Sequence, residues 1–265
     1  MKIVTDASEL VQGCAFVPTM GALHSGHQSL FTIAASRSEQ VLASIFVNPL
    51  QFESAEDLEK YPRTPEKDIE IAEAAGVTHL WLPHYEELYP EGFEKVLAGP
   101  LGNIYEGASR PGHFDGVVTV VSRLFELAQP KSAIFGEKDF QQLALIKKMK
   151  SGVDIIAAPT IRESDGLALS SRNVRLDPAA RKAATVISRA LFAATSEKSV
   201  ESAQSHLEHV LSEETTFSCD YAEIIDEDDF TQATDSTLHA RAIIAGWING
   251  IRLIDNISMN QGVRS

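Results

Sequence analysis

Phe16-Val17-Pro18-Thr19-Met20-Gly21-Ala22-Leu23-His24-Ser25-Gly26-His27 is the stretch that decides the fold. The apolar run from Cys14 to Val17 is long enough for a buried strand. Gln28 to Ala35 carries apolar residues at helical spacing, so a helix is expected over 26–37. Residues 18–26 then form a strand-to-helix turn, where an open α/β sheet receives its ligand. Gly21 and Gly26 let backbone approach that ligand closely, and the helix start is expected to point free N–H groups at it. His24 and His27 lie three apart and share one face of the first helical turn. Imidazoles placed there suit phosphate oxygens, through hydrogen bonds and, when protonated, through charge. A surface loop holding two histidines is the plainer reading, and His-x-Gly-His alone is a weak pattern. The strand before it, the helix after it and the two glycines within it favour a phosphate site.

Working outward, four more buried strands are expected at 41–47, 79–83, 132–135 and 153–157. Helices are expected at 66–75, 117–128 and 139–150, with a short one over 6–12 capped by Asp6. Alternation of strand and helix implies a Rossmann-like, doubly wound parallel sheet. Residues 99–116 are glycine-rich and read as a functional loop. Beyond them, helices are expected at 178–195 and 199–213, a half-buried strand at 220–225, and a hairpin of 240–248 and 251–254 about Asn249-Gly250. The C-terminal part is therefore a smaller α+β domain. The expected division is 1–167 for the Rossmann-like domain and 168–265 for the smaller one, with the site between them.

Composition sets outer bounds. Hydrophobic residues make up 44% of the 265 and charged residues 23%, as in an ordinary globular protein. A formal charge of −14 argues against a general nucleic-acid surface but not against ATP, which a few local cations can hold. No apolar run is long enough for a membrane span, and the N-terminus lacks the core of a signal peptide. Cys14 and Cys219 read as reduced, buried thiols. A reducing cytoplasm is the expected setting.

Polar residues recur just past the expected strands. Asn48 and Gln51 follow the second; Gly136, Glu137, Lys138, Asp139 and Gln142 follow the fourth. Singly, each has an ordinary alternative: Asn48-Pro49 a turn, Gln51 a solvated loop residue, Asp139 a helix cap, Gln142 a helix-surface residue. Their recurrence at one edge of one sheet favours a site. Ser170, Ser171 and Arg172 could clamp phosphate, or be a serine-rich turn with a solvated arginine.

Residues 16–27 resemble the nucleotide-binding signature of the nucleotidyltransferase and class I aminoacyl-tRNA synthetase superfamily. The longer Pro-Thr-Met-Gly-Ala-Leu-His-x-Gly-His is similar to one branch, the pantoate–β-alanine ligase family. Six further blocks resemble that family in order. They begin at Phe46-Val47-Asn48-Pro49, Tyr61-Pro62-Arg63-Thr64, Arg110-Pro111-Gly112-His113, Phe135-Gly136-Glu137-Lys138, Leu169-Ser170-Ser171-Arg172 and Arg252-Leu253-Ile254-Asp255.

The resemblance implies ATP-dependent condensation of (R)-pantoate with β-alanine to pantothenate, AMP and pyrophosphate, through a pantoyl-adenylate. It makes 1–167 the ATP- and pantoate-binding domain and 168–265 a lid. It makes Met20, Gly21, Ala22, Leu23, His24, Ser25, Gly26 and His27 a nucleotide loop, with His27 as proton donor, a role for which electrostatic stabilisation is the alternative. It places Gly136, Glu137, Lys138 and Asp139 on ATP, the backbone near Ile161 on adenine, and Leu169, Ser170, Ser171 and Arg172 over the phosphates. The catalytic set is then His24, His27, Lys138 and Arg172, and the substrate set Gln51, Gln142 and Asn48. Magnesium is expected with ATP; Asp68 is a candidate ligand, with a helix-surface carboxylate the favoured alternative. A homodimer is also implied. The segment before the first strand and the connection Met149-Lys150-Ser151-Gly152 are shorter than the family usually has, and Arg175 stands where tyrosine is usual. Two other readings stay open: transfer of a nucleotide to a phosphate acceptor, and nucleotide binding without catalysis.

Overall fold

The structure is a computed structural model and describes residues 1–259. The chain divides into two compact units, 1–161 and 162–265, of which 260–265 lie outside the described residues.

In the first unit, the strands are β1 (Lys2–Val4), β2 (Ala15–Thr19), β3 (Val41–Ile45), β4 (His79–Trp81), β5 (Ser132–Gly136) and β6 (Asp154–Ala158). All pair in parallel, in the order β1-β4-β3-β2-β5-β6. Successive residues of a strand face opposite sides, so an apolar strand needs a core on both. Phe16 and Leu42 join one cluster; their neighbours Ala15, Val17, Val41 and Ala43 join another.

The helices are α1 (Ser25–Arg37), α2 (Ala55–Glu59), α3 (Pro65–Ala74), α4 (Tyr85–Leu88), α5 (Glu106–Ser109), α6 (His113–Ala128) and α7 (Phe140–Lys148). Phe31 and Ala34 of α1 and Ala72 of α3 cover one face of the sheet. Val117, Val121, Leu124 and Phe125 of α6 cover the other. Burial of these valines outweighs their modest helix propensity. After β2 the chain turns to β3 on one side; it returns to β5 on the other. The ends of β2 and β5 therefore diverge at a switch point, the position a ligand crevice requires.

Four sequence expectations change here. The N-terminus contributes a sixth strand, β1, and only a 3-10 turn, Ala7–Glu9, where a helix was expected over 6–12. Asp6 does cap that turn, accepting the Ser8 N–H at 2.8 Å. The 99–116 segment is not an open loop. It holds a 3-10 turn at Pro100–Asn103, then α5, then the start of α6. Gln141 pins it, donating to the carbonyls of Leu101 and Ile104 at 2.8 Å and accepting the Glu106 N–H at 3.1 Å. α6 starts at His113 rather than 117. Gly116 permits this, because a Cβ there would lie 2.2 Å from the Leu50 carbonyl oxygen.

The second unit packs α8 (Pro178–Thr195) and α9 (Val200–Ser212) on an antiparallel sheet of β7 (Phe217–Asp226), β8 (Ala240–Ile248) and β9 (Ile251–Ser258). Asp177 caps α8 by accepting the N–H groups of Ala179 and Ala180. Asn249 and Gly250 have φ of 49° and 73°, the two positive values that a tight hairpin turn requires. Ile187, Leu191, Leu207 and Ile244 share the core. This unit begins at Arg162, ahead of the expected 167/168 boundary. Arg162 bridges Ala168 and donates to the Asp255 carboxylate at 3.0 Å, which ties residues 162–168 to β9. Both cysteines are free thiols; Cys14 is buried as expected, but Cys219 is exposed. Among the described residues no helix is long and apolar enough to cross a membrane.

Candidate active site

The turn after β2 is held from within. The Thr19 hydroxyl donates to the Ser44 carbonyl at 2.7 Å and accepts the Gly21 N–H at 3.2 Å. Asp68, on α3, accepts the Ala22 N–H at 2.9 Å and the Leu23 N–H at 2.8 Å. His24 is the N-cap of α1: its Nδ1 accepts the Gly26 N–H at 3.1 Å. The His27 Nδ1 reaches back to accept the His24 N–H at 3.3 Å. The backbone carbonyl of His24 accepts from the N–H groups of His27 and Gln28.

Two consequences follow. The backbone N–H groups of residues 21–24 and 26–28 are already engaged, so the expected cradle of free helix-start N–H groups is corrected. The donors this turn can offer an anion are mainly its imidazoles. Because each Nδ1 accepts a hydrogen bond, each neutral ring carries its proton on Nε2. The two rings stand 4.2 Å apart, centroid to centroid. Burial pushes the His27 imidazolium down to a pKa of about 3. Positive charge on His24 and on Lys138 acts in the same direction, and Asp139 acts against it. His27 is therefore neutral near pH 7, with an Nε2–H to donate.

That coupling also brings the two sides of the switch point together. Lys138 and Asp139 lie in the 3-10 turn Glu137–Asp139 directly after Gly136, the last residue of β5. The Lys138 Nζ stands 3.4 Å from Asp139, and its side chain is only 17% exposed. Asp139 is the expected cap of α7 by position but makes no side-chain capping bond.

At the end of β3, Gln51 is 8% exposed and Asn48 is 1% exposed. The Asn48 amide nitrogen donates to the Gln51 Oε1 and to the Gly116 carbonyl, both at 3.0 Å. Its oxygen accepts the Tyr89 hydroxyl at 2.8 Å and the Leu50 N–H at 3.2 Å. Burial pushes the Tyr89 pKa up, which keeps that hydroxyl a donor. Every hydrogen-bonding position of the Asn48 amide is thus filled by protein. The Gln51 Nε2 approaches the Met20 sulfur at 3.0 Å, linking this loop to the turn after β2. The Gln51 carbonyl accepts from Arg110 at 3.4 Å and lies 2.8 Å from the His113 Nδ1. Arg110 also pairs with Glu53 and Glu106. The sequence reading quoted the Arg110–Phe114 block but gave it no task. The available signal was an arginine and a histidine three apart, just ahead of the helix expected at 117–128.

The remaining expected residues are less connected. Gln142, on α7, is half-buried, and its amide makes no hydrogen bond among the described residues. Ile161 ends the first unit and is 37% exposed. Leu169, Ser170, Ser171 and Arg172 belong to the second unit, and all four are half-buried. There Ser170 caps the 3-10 turn Ser171–Arg175 by accepting the Arg172 N–H at 3.3 Å. Asp68 is not a surface carboxylate: it is 1% exposed, and both of its oxygens accept protein hydrogen bonds. Among the described residues no group of three or more His, Cys, Asp or Glu side chains is placed to hold a metal.

A family model described as pantoate–β-alanine ligase matches residues 2–258. The chain belongs to the pantoate–β-alanine ligase family. A pantothenate synthetase of Thermus thermophilus is 45% identical over 98% of this chain and 99% of its own length. One from Acidothermus cellulolyticus is 46% identical over 93% and 86%. The crystal structure of a Thermus thermophilus pantothenate synthetase superposes with a TM-score of 0.93 at 44% identity, covering 98% of this chain and 99% of that one. The Francisella tularensis pantoate–β-alanine ligase, complexed with beta-gamma ATP and β-alanine, superposes at 0.78 with 33% identity and 100% coverage of both chains. The six-strand parallel sheet and the separate three-strand antiparallel sheet match these pantoate–β-alanine ligases.

Proposed function

We infer that this chain carries out the family's ATP-dependent ligation of pantoate and β-alanine, yielding pantothenate, AMP and pyrophosphate. The observation that carries the reading is the pair of Nδ1-accepting histidines, both half-buried, close to Lys138 at the switch point of a parallel sheet.

A carboxylate does not acylate an amine in neutral water, because its oxygen is a poor leaving group. Attack of the pantoate carboxylate on the α-phosphorus of ATP forms a mixed anhydride, pantoyl-adenylate, and releases pyrophosphate. The β-alanine amine then attacks the anhydride carbonyl, loses a proton and expels AMP. In the first step the protein aligns the reactants and stabilises charge on the phosphates.

In this proposal the His24 and His27 Nε2–H groups donate to triphosphate oxygens, and Lys138 supplies the adjacent positive charge. A neutral His27 stabilises the departing pyrophosphate by hydrogen bonding rather than by giving up a proton. Gln51 and Gln142 bind pantoate, with Gln51 also near β-alanine; Asn48 serves by holding Gln51. The backbone at Ile161 meets adenine, and Leu169 to Arg172 contact the phosphates. Magnesium enters with ATP as a complex of its phosphates, which suits a chain with no ready cluster of metal-ligating side chains among the described residues. Its chemistry there is neutralisation of phosphate charge. A cytoplasmic homodimer completes the reading; sedimentation at micromolar concentration measures the dimer.

The test is AMP release from ATP and magnesium with pantoate and β-alanine omitted in turn. Release that requires both supports the ligase. Consumption of ATP with neither present, or with a phosphate acceptor instead, overturns it.

A further inference from the structure

The sequence left Asp68 between two roles, metal ligand and surface charge, and the structure shows that it is no surface charge. It sits in α3 with two other charged residues before it, Glu66 and Lys67, yet it alone of the three is buried. Its Oδ2 accepts the Ala22 N–H at 2.9 Å; its Oδ1 accepts the Leu23 N–H at 2.8 Å and the Thr64 hydroxyl at 2.9 Å. A buried carboxylate balanced by hydrogen bonds is costly, so its presence needs a reason in what it holds.

What it holds is strained. Ala22 has φ of 50°, the left-handed region that a Cβ disfavours. Gly21, at φ 81°, has no room for a side chain: a Cβ would lie 2.9 Å from the Asp68 Oδ2 and 3.0 Å from Ile45. Two residues after Ala22 comes His24, whose N–H orients His27 and whose Nδ1 caps α1. The strain and its compensation thus sit immediately before the two imidazoles.

We propose that Asp68 is a positioning residue for the adenylate-forming step: its carboxylate bridges the consecutive N–H groups of Ala22 and Leu23, holds Ala22 left-handed, and so sets the orientation of His24 and His27. This rests on reading those imidazoles as triphosphate donors. The carboxylate acts through the backbone and does not touch substrate.

The test compares D68N, T64V and the double variant D68N/A22G in steady-state kinetics, with H27A as reference and thermal unfolding as the fold control. Asparagine keeps the shape but must aim an NH2 group at one of the two N–H donors. Misaligned histidines then lower kcat and raise KM for ATP, by on the order of tenfold to hundredfold in kcat/KM, with KM for pantoate unchanged. Glycine at 22 adopts the left-handed region without strain, so D68N/A22G recovers several-fold of the D68N loss relative to A22G alone. T64V, which removes one hydrogen bond from the carboxylate, shows the same ATP-selective change at about threefold. If D68N does not fold, T64V decides: an unchanged KM for ATP overturns the proposal. Loss shared equally between ATP and pantoate, or no recovery with glycine, overturns it too. The underlying reading fails separately: H27A turning over at the wild-type rate removes the histidines from the site, whatever Asp68 does.

Discussion

The end of β3 and the start of α7 each carry a glutamine that the family resemblance directs to pantoate, and the protein treats the two differently. Gln51 is buried and held at both ends: Asn48 and Met20 fix its amide, Arg110 and His113 its carbonyl. Gln142 is half-buried and its amide has no protein partner among the described residues. If both bind pantoate as proposed, one glutamine is preorganised and the other finds its geometry when substrate arrives. Preorganisation lowers the ordering cost of binding, while an unheld side chain loses rotamer freedom only then. On the proposed reading, the difference teaches that substrate orientation is set from the β3 side, where the brace is continuous with the turn that bears His24 and His27.

The largest effect should come from removing the brace itself. Asn48→Ala leaves the Gln51 amide, the Tyr89 hydroxyl, the Gly116 carbonyl and the Leu50 N–H without their partner. Stability should fall by about 3 kcal/mol, since each buried orphan costs roughly 1–3 kcal/mol, and pantoate binding should weaken through the loss of the Gln51 brace. Urea unfolding and a pantoate titration measure both; unaltered pantoate affinity in a folded variant would undo the contrast between the two glutamines. Gln51→Ala comes next, weakening pantoate by about 2 kcal/mol, the scale of a hydrogen bond to a charged group. ATP affinity should be nearly unchanged, and a titration in which only ATP weakens would reverse the assignment.

Acid stability probes the histidine end of the same brace. The His27 pKa in the folded chain is about 3, below its ordinary value of 6.5. Between those values the unfolded chain binds a proton that the folded chain refuses. The stability is therefore fully present above pH 6.5 and is lost as pH falls toward 3, with no further loss below. The slope approaches about 1.4 kcal/mol per pH unit at most, one proton's worth. His27→Gln should flatten that part of the profile; an identical slope would mean that the fold does not hold His27 neutral. Gln142→Ala has the smallest effect, about 1 kcal/mol on pantoate binding and none on the unfolding midpoint. A fall in that midpoint would show a structural role for the amide, and equal losses from the two glutamine variants would erase the distinction.

Much of this molecule could be read from residue patterns because its strong elements are local. The apolar run before Pro18 and the periodic one after Gly26 place β2 and α1 with little help from the rest of the chain. Pro178 after Asp177 marks the start of α8, and Asn249-Gly250 marks the hairpin of β8 and β9. What escaped depends on long-range partners. β1 is three residues long and shows no period; it exists because β4 offers it an edge. Asp68 follows Glu66 and Lys67 and so looks solvated; its burial comes with Ala22 and Leu23, far earlier in the chain. The Gly99–Gly116 segment reads as open because its glycines dominate it, whereas Gln141 closes it from α7. The site's residue types were visible, but the engagement of the backbone N–H groups around His24 was not, because it needs the positions of Asp68 and Thr19.

In the proposed reaction this switch-point site activates the pantoate carboxylate on ATP before any amine is needed. The direct measurement is exchange of labelled pyrophosphate into ATP, with magnesium and pantoate present and β-alanine absent. The account predicts exchange that depends on pantoate, runs without β-alanine, and falls by roughly tenfold or more in His27→Ala, the scale of a lost transition-state hydrogen bond. Exchange that appears only once β-alanine is added would contradict a separate adenylate, and exchange independent of pantoate would contradict the substrate.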